Sequence, residues 1–313
     1  MNEPDIPWVT EKELKLNDFA RGFVDSVNLY QKNIETRSGP GFAVAAGLIT
    51  AFPEKVNYKT LNKSVEFHRL SATAYVATLI NDYLDMQTFL DTSDGSATKL
   101  HLEELWKKTL EGIGFQTELP QEDRDTIKSY MAGVTLLDDL ERSNPNKSLS
   151  AVIKAKELEN AISLVHCAAL VVGKKEIGIN CLNLFEDVGL ETLREKYDWI
   201  IKGKPENEVQ RRLCAIFNVV ILTQTVDDQF DTRIDDKLQA RNIYSSLLKE
   251  NFGNKQVCDR LLKAIQNKYF VAANKFGISG LAFLSNKKFM EFVKKVQYRF
   301  PNIAGGQRER LIK

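Results

Sequence analysis

Hydrophobic residues recur along this chain at spacings of three and four, with no clean run of period-two alternation. The pattern therefore predicts helices and no sheet, about ten helices in all. The first covers about residues 10–36, with Leu14, Phe19, Phe23, Val24, Val27 and Tyr30 on one broad stripe, and breaks at Ser38-Gly-Pro-Gly41. A short apolar helix over Phe42–Ala51 stops at Pro53. A long one over Thr60–Leu90 follows, then one from about Leu100 to Gly112. Residues 121–142 form the next, ended by Asn144-Pro145, because proline cannot continue a helix. Residues 148–172 form another, with Ile153, Leu158, Ile162, Val165 and Leu170 periodic and Gly173 and Gly178 at its end. Residues 181–202 are helical up to the loop Lys202-Gly-Lys-Pro205.

The segment Arg211–Leu248 carries the strongest signal. Leu213–Leu222 is an apolar run, and Ile216, Val219, Val220, Thr223, Val226, Phe230, Ile234 and Leu238 recur at helical spacing. A helix from about Gln256 to Phe276 and a basic one from Asn286 to Phe300 complete the pattern. No repeat of fixed period and no Ser/Pro-rich linker divides the chain, so residues 1–313 read as a single all-α domain.

Composition narrows the function classes. A hydrophobic fraction of 43% supplies a sizeable core, and a net charge of +1 argues against a nucleic-acid binder that works through a general basic field. Cys167, Cys181, Cys214 and Cys258 are far apart and read as buried thiols of a reducing cytoplasm, not as a disulfide frame or zinc site. The acidic N-terminus lacks a signal-peptide pattern, and no apolar run is long enough to span a membrane. His68, His101 and His166 show no Glu-x-x-His pairing, and His166 reads as a core histidine.

Chemistry is concentrated in Gln224-Thr-Val-Asp-Asp-Gln-Phe-Asp231, followed by Asp235 and Asp236. On a helix Asp227, Asp231 and Asp235 stand at i, i+4 and i+8, one acidic stripe on an otherwise apolar element. Like charges at that spacing repel, and a hard divalent cation such as Mg2+ would offset the repulsion. A solvated acidic face is the bland alternative. A second acidic site, Asn81-Asp-Tyr-Leu-Asp85, lies on the helix over 60–90, with Asp82 and Asp85 on one face together with Tyr75. If the two helices are antiparallel neighbours, their acidic ends face each other across an apolar hollow. Metal-held carboxylates there would favour loss of a diphosphate leaving group.

Gln224-x-x-Asp-Asp-x-x-Asp231 is similar to the second aspartate-rich motif of trans-prenyl diphosphate synthases. Asn81-Asp-Tyr-Leu-Asp85, with Asp91 shortly after, resembles a first motif of the same class I isoprenoid synthase superfamily, in particular that of the tetraprenyl-β-curcumene (large-terpene) synthases. The resemblance implies a helical bundle around a central apolar cavity, with Asp82, Asp85, Asp227, Asp228 and Asp231 as catalytic Mg2+ ligands. It implies a prenyl diphosphate substrate ionised with loss of diphosphate and cyclised through a carbocation. It also implies a homodimer. Gln224, Arg233, Lys237, Tyr298, Arg299 and Tyr75 are the candidate substrate-binding residues, with charge compensation or surface exposure as the alternative for the basic ones. Asp91 is followed by Thr-Ser-Asp-Gly-Ser-Ala-Thr, with no arginine pair, which points away from head-to-tail elongation. A prenyl diphosphate synthase or a squalene/phytoene-type condensing prenyltransferase remains the alternative within the superfamily, and a non-catalytic helical binding protein the remote one.

Overall fold

In a computed structural model, the structure describes Val44, Gly47, Leu48, Ala51 and Phe52 and residues 121–142, 148–178, 190–238 and 240–277. Every regular element among them is helical, as the three-and-four spacing predicts. We number the helices α1 (Gln121–Arg142), α2 (Leu149–Val172), the single turn α3 (Lys174–Ile177), α4 (Leu190–Ile201), α5 (Glu208–Leu238), α6 (Ile243–Glu250) and α7 (Lys255–Lys275). The six longer ones pack together.

The ends follow from local chemistry. Ser148 caps α2 by accepting from the amide of Ala151, and Gly173, at φ 91°, closes it. Asn207 accepts from the amide of Gln210 in the first turn of α5, and Asn242 and Asn254 cap α6 and α7 in the same way. The loop between α4 and α5 turns at Gly203, which takes φ 63°. The predicted helices over 121–142 and 148–172 are present within a residue, and the one predicted over 181–202 ends within a residue of α4, residues 181–189 lying outside the described ones.

Helix α5 is the centre. Every residue from Leu213 to Val226 is buried. The polar side chains inside that run are satisfied by the helix itself: Asn218 donates to the carbonyl of Cys214, Thr223 to that of Val219 and Thr225 to that of Leu222. Helix α2 is likewise buried all round from Leu164 to Val172. The two run antiparallel. Gln210, at the start of α5, donates to the carbonyl of Ile177 just beyond α2, while Lys156 near the start of α2 meets Asp228 near the end of α5. Helix α7 also runs antiparallel to α5, with Phe276 beside Arg211 and Asp259 beside Gln229. The short apolar helix expected over Phe42–Ala51 is helical at Val44, Gly47, Leu48 and Ala51, and packs into the same core.

Two features depart from the sequence pattern. The chain leaves the helix after Leu238 and starts α6 at Ile243, a break with no glycine or proline to announce it. Phe230, read as a core position, is 40% exposed. In the last turns of α5 the inward face is carried instead by Gln224, Asp228, Asp231 and Asp235.

The three described cysteines, Cys167, Cys214 and Cys258, are buried free thiols. Burial pushes the thiols of Cys167 and Cys214 up to about 12, so they are inert at neutral pH. No helix among the described residues is long and apolar enough to cross a membrane.

Candidate functional site

The acid-rich end of α5 meets the first half of α2, the loop before α6, and α6 itself. Asp228 is 1% exposed, Asp235 5% and Asp231 6%, while Asp227 is half-buried and Asp236 exposed. Burying a carboxylate is costly unless it gains hydrogen bonds or an opposite charge. Asp228 has both. Its Oδ1 accepts from Nε2 of Gln224 at 3.0 Å and faces Nζ of Lys156 at 3.5 Å, and its Oδ2 accepts from the backbone amide of Ile243 at 2.7 Å.

Asn242 completes the arrangement. Its Nδ2 donates both to the Asp228 carbonyl and to Oδ2 of Asp235, each at 2.7 Å, while its Oδ1 caps α6 at the amide of Ser245. The hydroxyl of Ser245 donates to Asp236, which also pairs with Lys249 at 3.2 Å. The acids of α5 and the start of α6 are therefore one hydrogen-bonded unit.

Helix α2 supplies further charge. Glu159 pairs with Arg241 at 3.7 Å. Arg241, which follows the acid motif in sequence, thus faces α2 through one of its guanidinium nitrogens. Glu157 is buried and accepts from the hydroxyl of Tyr269 at 2.8 Å, with Arg194 and Lys268 each 3.5 Å away. Beside Glu157, burial and its negative charge raise the Tyr269 hydroxyl well above the usual phenol range, so it stays a donor.

The predicted site residues fall into three groups. Gln224, Asp227, Asp228 and Asp231 lie together on the last turns of α5, with Gln224 buried and bonded to Asp228. Arg233 is exposed on that helix. Tyr75, Asp82, Asp85, Tyr298 and Arg299, and the side chain of Lys237, lie outside the described residues. Among the described residues no three His, Cys, Asp or Glu side chains converge closely enough to hold a metal ion. The α5 acids offer only oxygen donors, the set a hard cation such as Mg2+ takes, and that cation also needs oxygens from a second element or from substrate.

Sequence reasoning missed Lys156 and Asn242. Lys156 is one of two lysines, with Lys154, in an apolar periodic helix, and nothing local marks it as facing an acid. Asn242 did leave a trace, since asparagine directly before an apolar residue is a helix-start signal.

His166 is the core histidine expected. Its ring is buried, Nδ1 lies 2.8 Å from the carbonyl of Ile162, and Nε2 lies 3.4 Å from Oγ of Ser129. A carbonyl only accepts, so Nδ1 carries the proton and Nε2 accepts from Ser129. Burial brings its pKa down to about 4.

In comparisons with known proteins, the chain matches no family model, no curated protein and no solved structure.

Proposed function

We propose that this chain is a magnesium-dependent class I isoprenoid-type enzyme that ionises a prenyl diphosphate, releases diphosphate and cyclises the resulting carbocation. A condensing prenyltransferase is the alternative within the same chemistry. The observation that carries the reading is the change of character along α5. A helix buried without interruption from Leu213 to Val226 turns carboxylates, not hydrocarbon, to the interior in its last turns.

Asp227 and Asp231 stand one turn apart and, with Asp82 and Asp85, would supply the oxygen ligands. When bound, Mg2+ neutralises the negative charge that develops on a departing diphosphate. Gln224 holds Asp228, and the apolar first half of α5 keeps water from the acids on one side. The prenyl chain is the class of substrate that pairs a phosphate-rich head with a hydrocarbon tail, and α5 is divided in the same way.

One observation favours a second reading, a helical binding protein without catalysis. The carboxylates of Asp228 and Asp235 fasten α6, a structural task that needs no metal. The two readings separate in one assay: diphosphate release from geranyl, farnesyl and geranylgeranyl diphosphates, with and without Mg2+ and isopentenyl diphosphate. Release that needs Mg2+ alone, gives hydrocarbon or alcohol products and falls about a hundredfold in Asp231→Asn supports the cyclase. Release only with isopentenyl diphosphate moves the protein to the transferases. No release from any substrate leaves the binding protein.

A further inference from the structure

We infer that Asp228, the second aspartate of the acid motif, is a positioning residue: it fastens the start of α6 to α5 and thereby holds the neighbouring carboxylates in place, instead of giving an oxygen to a metal. The inference concerns the site of the proposed reaction and rests on that reading for its metal-dependent part.

The geometry is one-sided. Both carboxylate oxygens of Asp228 already face protein: Gln224 and Lys156 at Oδ1, the Ile243 amide at Oδ2. The amide of Ile243 is one of the donors that the first turn of α6 cannot satisfy within itself, so Asp228 acts as a second cap beside Asn242. An anion there also meets the positive end of the helix. Its carbonyl is held too, by Asn242 at 2.7 Å and by the hydroxyl of Thr232 at 2.8 Å. Turning the carboxylate toward a cation would strip the Ile243 amide of its acceptor inside the protein, where an unmade hydrogen bond costs most. Helix α6 has eight residues and is anchored at its far end by Glu250, which accepts from the amide of Leu149 at 2.6 Å. Its near end is held by Asp228 and Asn242, with the Ser245 hydroxyl on Asp236 as a further tie within the first turn.

The inference predicts a pattern across variants of the full-length protein. Backbone hydrogen exchange in Mg2+-free buffer reads the fastening directly. Asp228→Ala and Asn242→Ala should each speed exchange of the Ile243 and neighbouring α6 amides about tenfold or more, because the open state becomes easier to reach. Asp228→Asn keeps an acceptor for Ile243 and should leave exchange within about threefold of the parent. The Mg2+ concentration for half-maximal diphosphate release from farnesyl diphosphate reads the effect on the site. It should rise about tenfold or more in Asn242→Ala, which leaves every carboxylate chemically intact, and in Asp231→Asn, and should stay near the parent value in Asp228→Asn. Unchanged α6 exchange in Asp228→Ala overturns the inference, as does an Asp228→Asn variant that needs as much extra Mg2+ as Asp231→Asn. A parent protein without any Mg2+-dependent release removes the proposed function, and exchange alone then decides whether Asp228 fastens α6. If Asp228→Ala does not fold, Asn242→Ala and Asp228→Asn carry the same comparison.

Discussion

Gly47 packs against Ile216 of α5 with no room for a side chain: a Cβ at position 47 would lie 2.4 Å from Cγ2 of Ile216. Here glycine is set by the approach of a neighbouring segment, not by a turn. The contact fixes the apolar segment around Leu48 onto the most buried stretch of the central helix. Ile216 is branched at Cβ and surrounded by core residues, so it has little freedom to move aside. Gly47→Ala should therefore destabilise the protein by about 1–3 kcal/mol, despite the better helix propensity of alanine. Ile216→Ala removes the obstructing atoms at a cost of its own, about 2–5 kcal/mol. In that background the added Gly47→Ala change should cost much less. Denaturant midpoints for the four proteins of this cycle test the contact, and equal costs of Gly47→Ala in both backgrounds would refute it.

His166 gives the protein a pH dependence with a definite sign. Burial holds the folded-state pKa near 4, against an ordinary value of 6.5. Between those values the unfolded chain binds a proton that the folded one refuses, so stability falls as pH falls. The full contribution is present above pH 6.5, and on the order of 3 kcal/mol is lost by pH 4. Thermal midpoints of the parent measured from pH 7 to pH 4 should drop along this slope. His166→Gln has no proton to take up and should show a shallower one, apart from carboxylate titration common to both proteins.

What the sequence discloses here is local, and what it hides is set by contacts between distant segments. Ser148 and Gly173 bound α2 because a cap and a closing glycine at positive φ act within one turn, and α1 ends at Arg142, shortly before the stop that Asn144-Pro145 predicts. The break between Leu238 and Ile243 is marked more faintly: Asn242 is a cap residue like Ser148, but no glycine or proline ends the helix before it. Spacing placed Asp227, Asp231 and Asp235 on one stripe, but which edge of that stripe faces inward depends on Lys156 and Asn242 across the gap. The outward position of Phe230 follows from the same choice. The carboxylates of the first acid motif, Asp82 and Asp85, fall outside the described residues.

The pairing of Lys156 with Asp228 crosses from α2 to α5 and is nearly shut off from solvent, the two side chains being 12% and 1% exposed. Screening by salt is weak for such a pair. Removing the lysine leaves a buried carboxylate with only neutral donors. Lys156→Met should therefore destabilise the protein more than Asp228→Asn adds once the lysine is gone. The coupling energy from the double-mutant cycle should lie at about 0.5–3 kcal/mol and should change little between low and moderate salt. A coupling indistinguishable from zero in urea unfolding would mean that the two charges are solvated separately.

Phe252 sits at the turn between α6 and α7 with φ 50° and 99% of its surface exposed. It is the one non-glycine residue with positive φ among the described residues. The backbone there is held by bonds from the amide of Gly253 to the carbonyl of Leu248 at 2.8 Å and from the amide of Asn254 to that of Asn251 at 3.0 Å, so the turn keeps its shape whatever the side chain. A left-handed conformation costs a bulky residue about 1–2 kcal/mol, and full exposure returns nothing from burial. Asparagine tolerates this region and does not add glycine's freedom to the unfolded chain. Phe252→Asn should therefore raise stability by about 0.5–1 kcal/mol and improve solubility, with Mg2+-dependent activity unchanged. Chemical denaturation decides the point: a lower midpoint in the asparagine variant would show that the ring makes a stabilising contact after all.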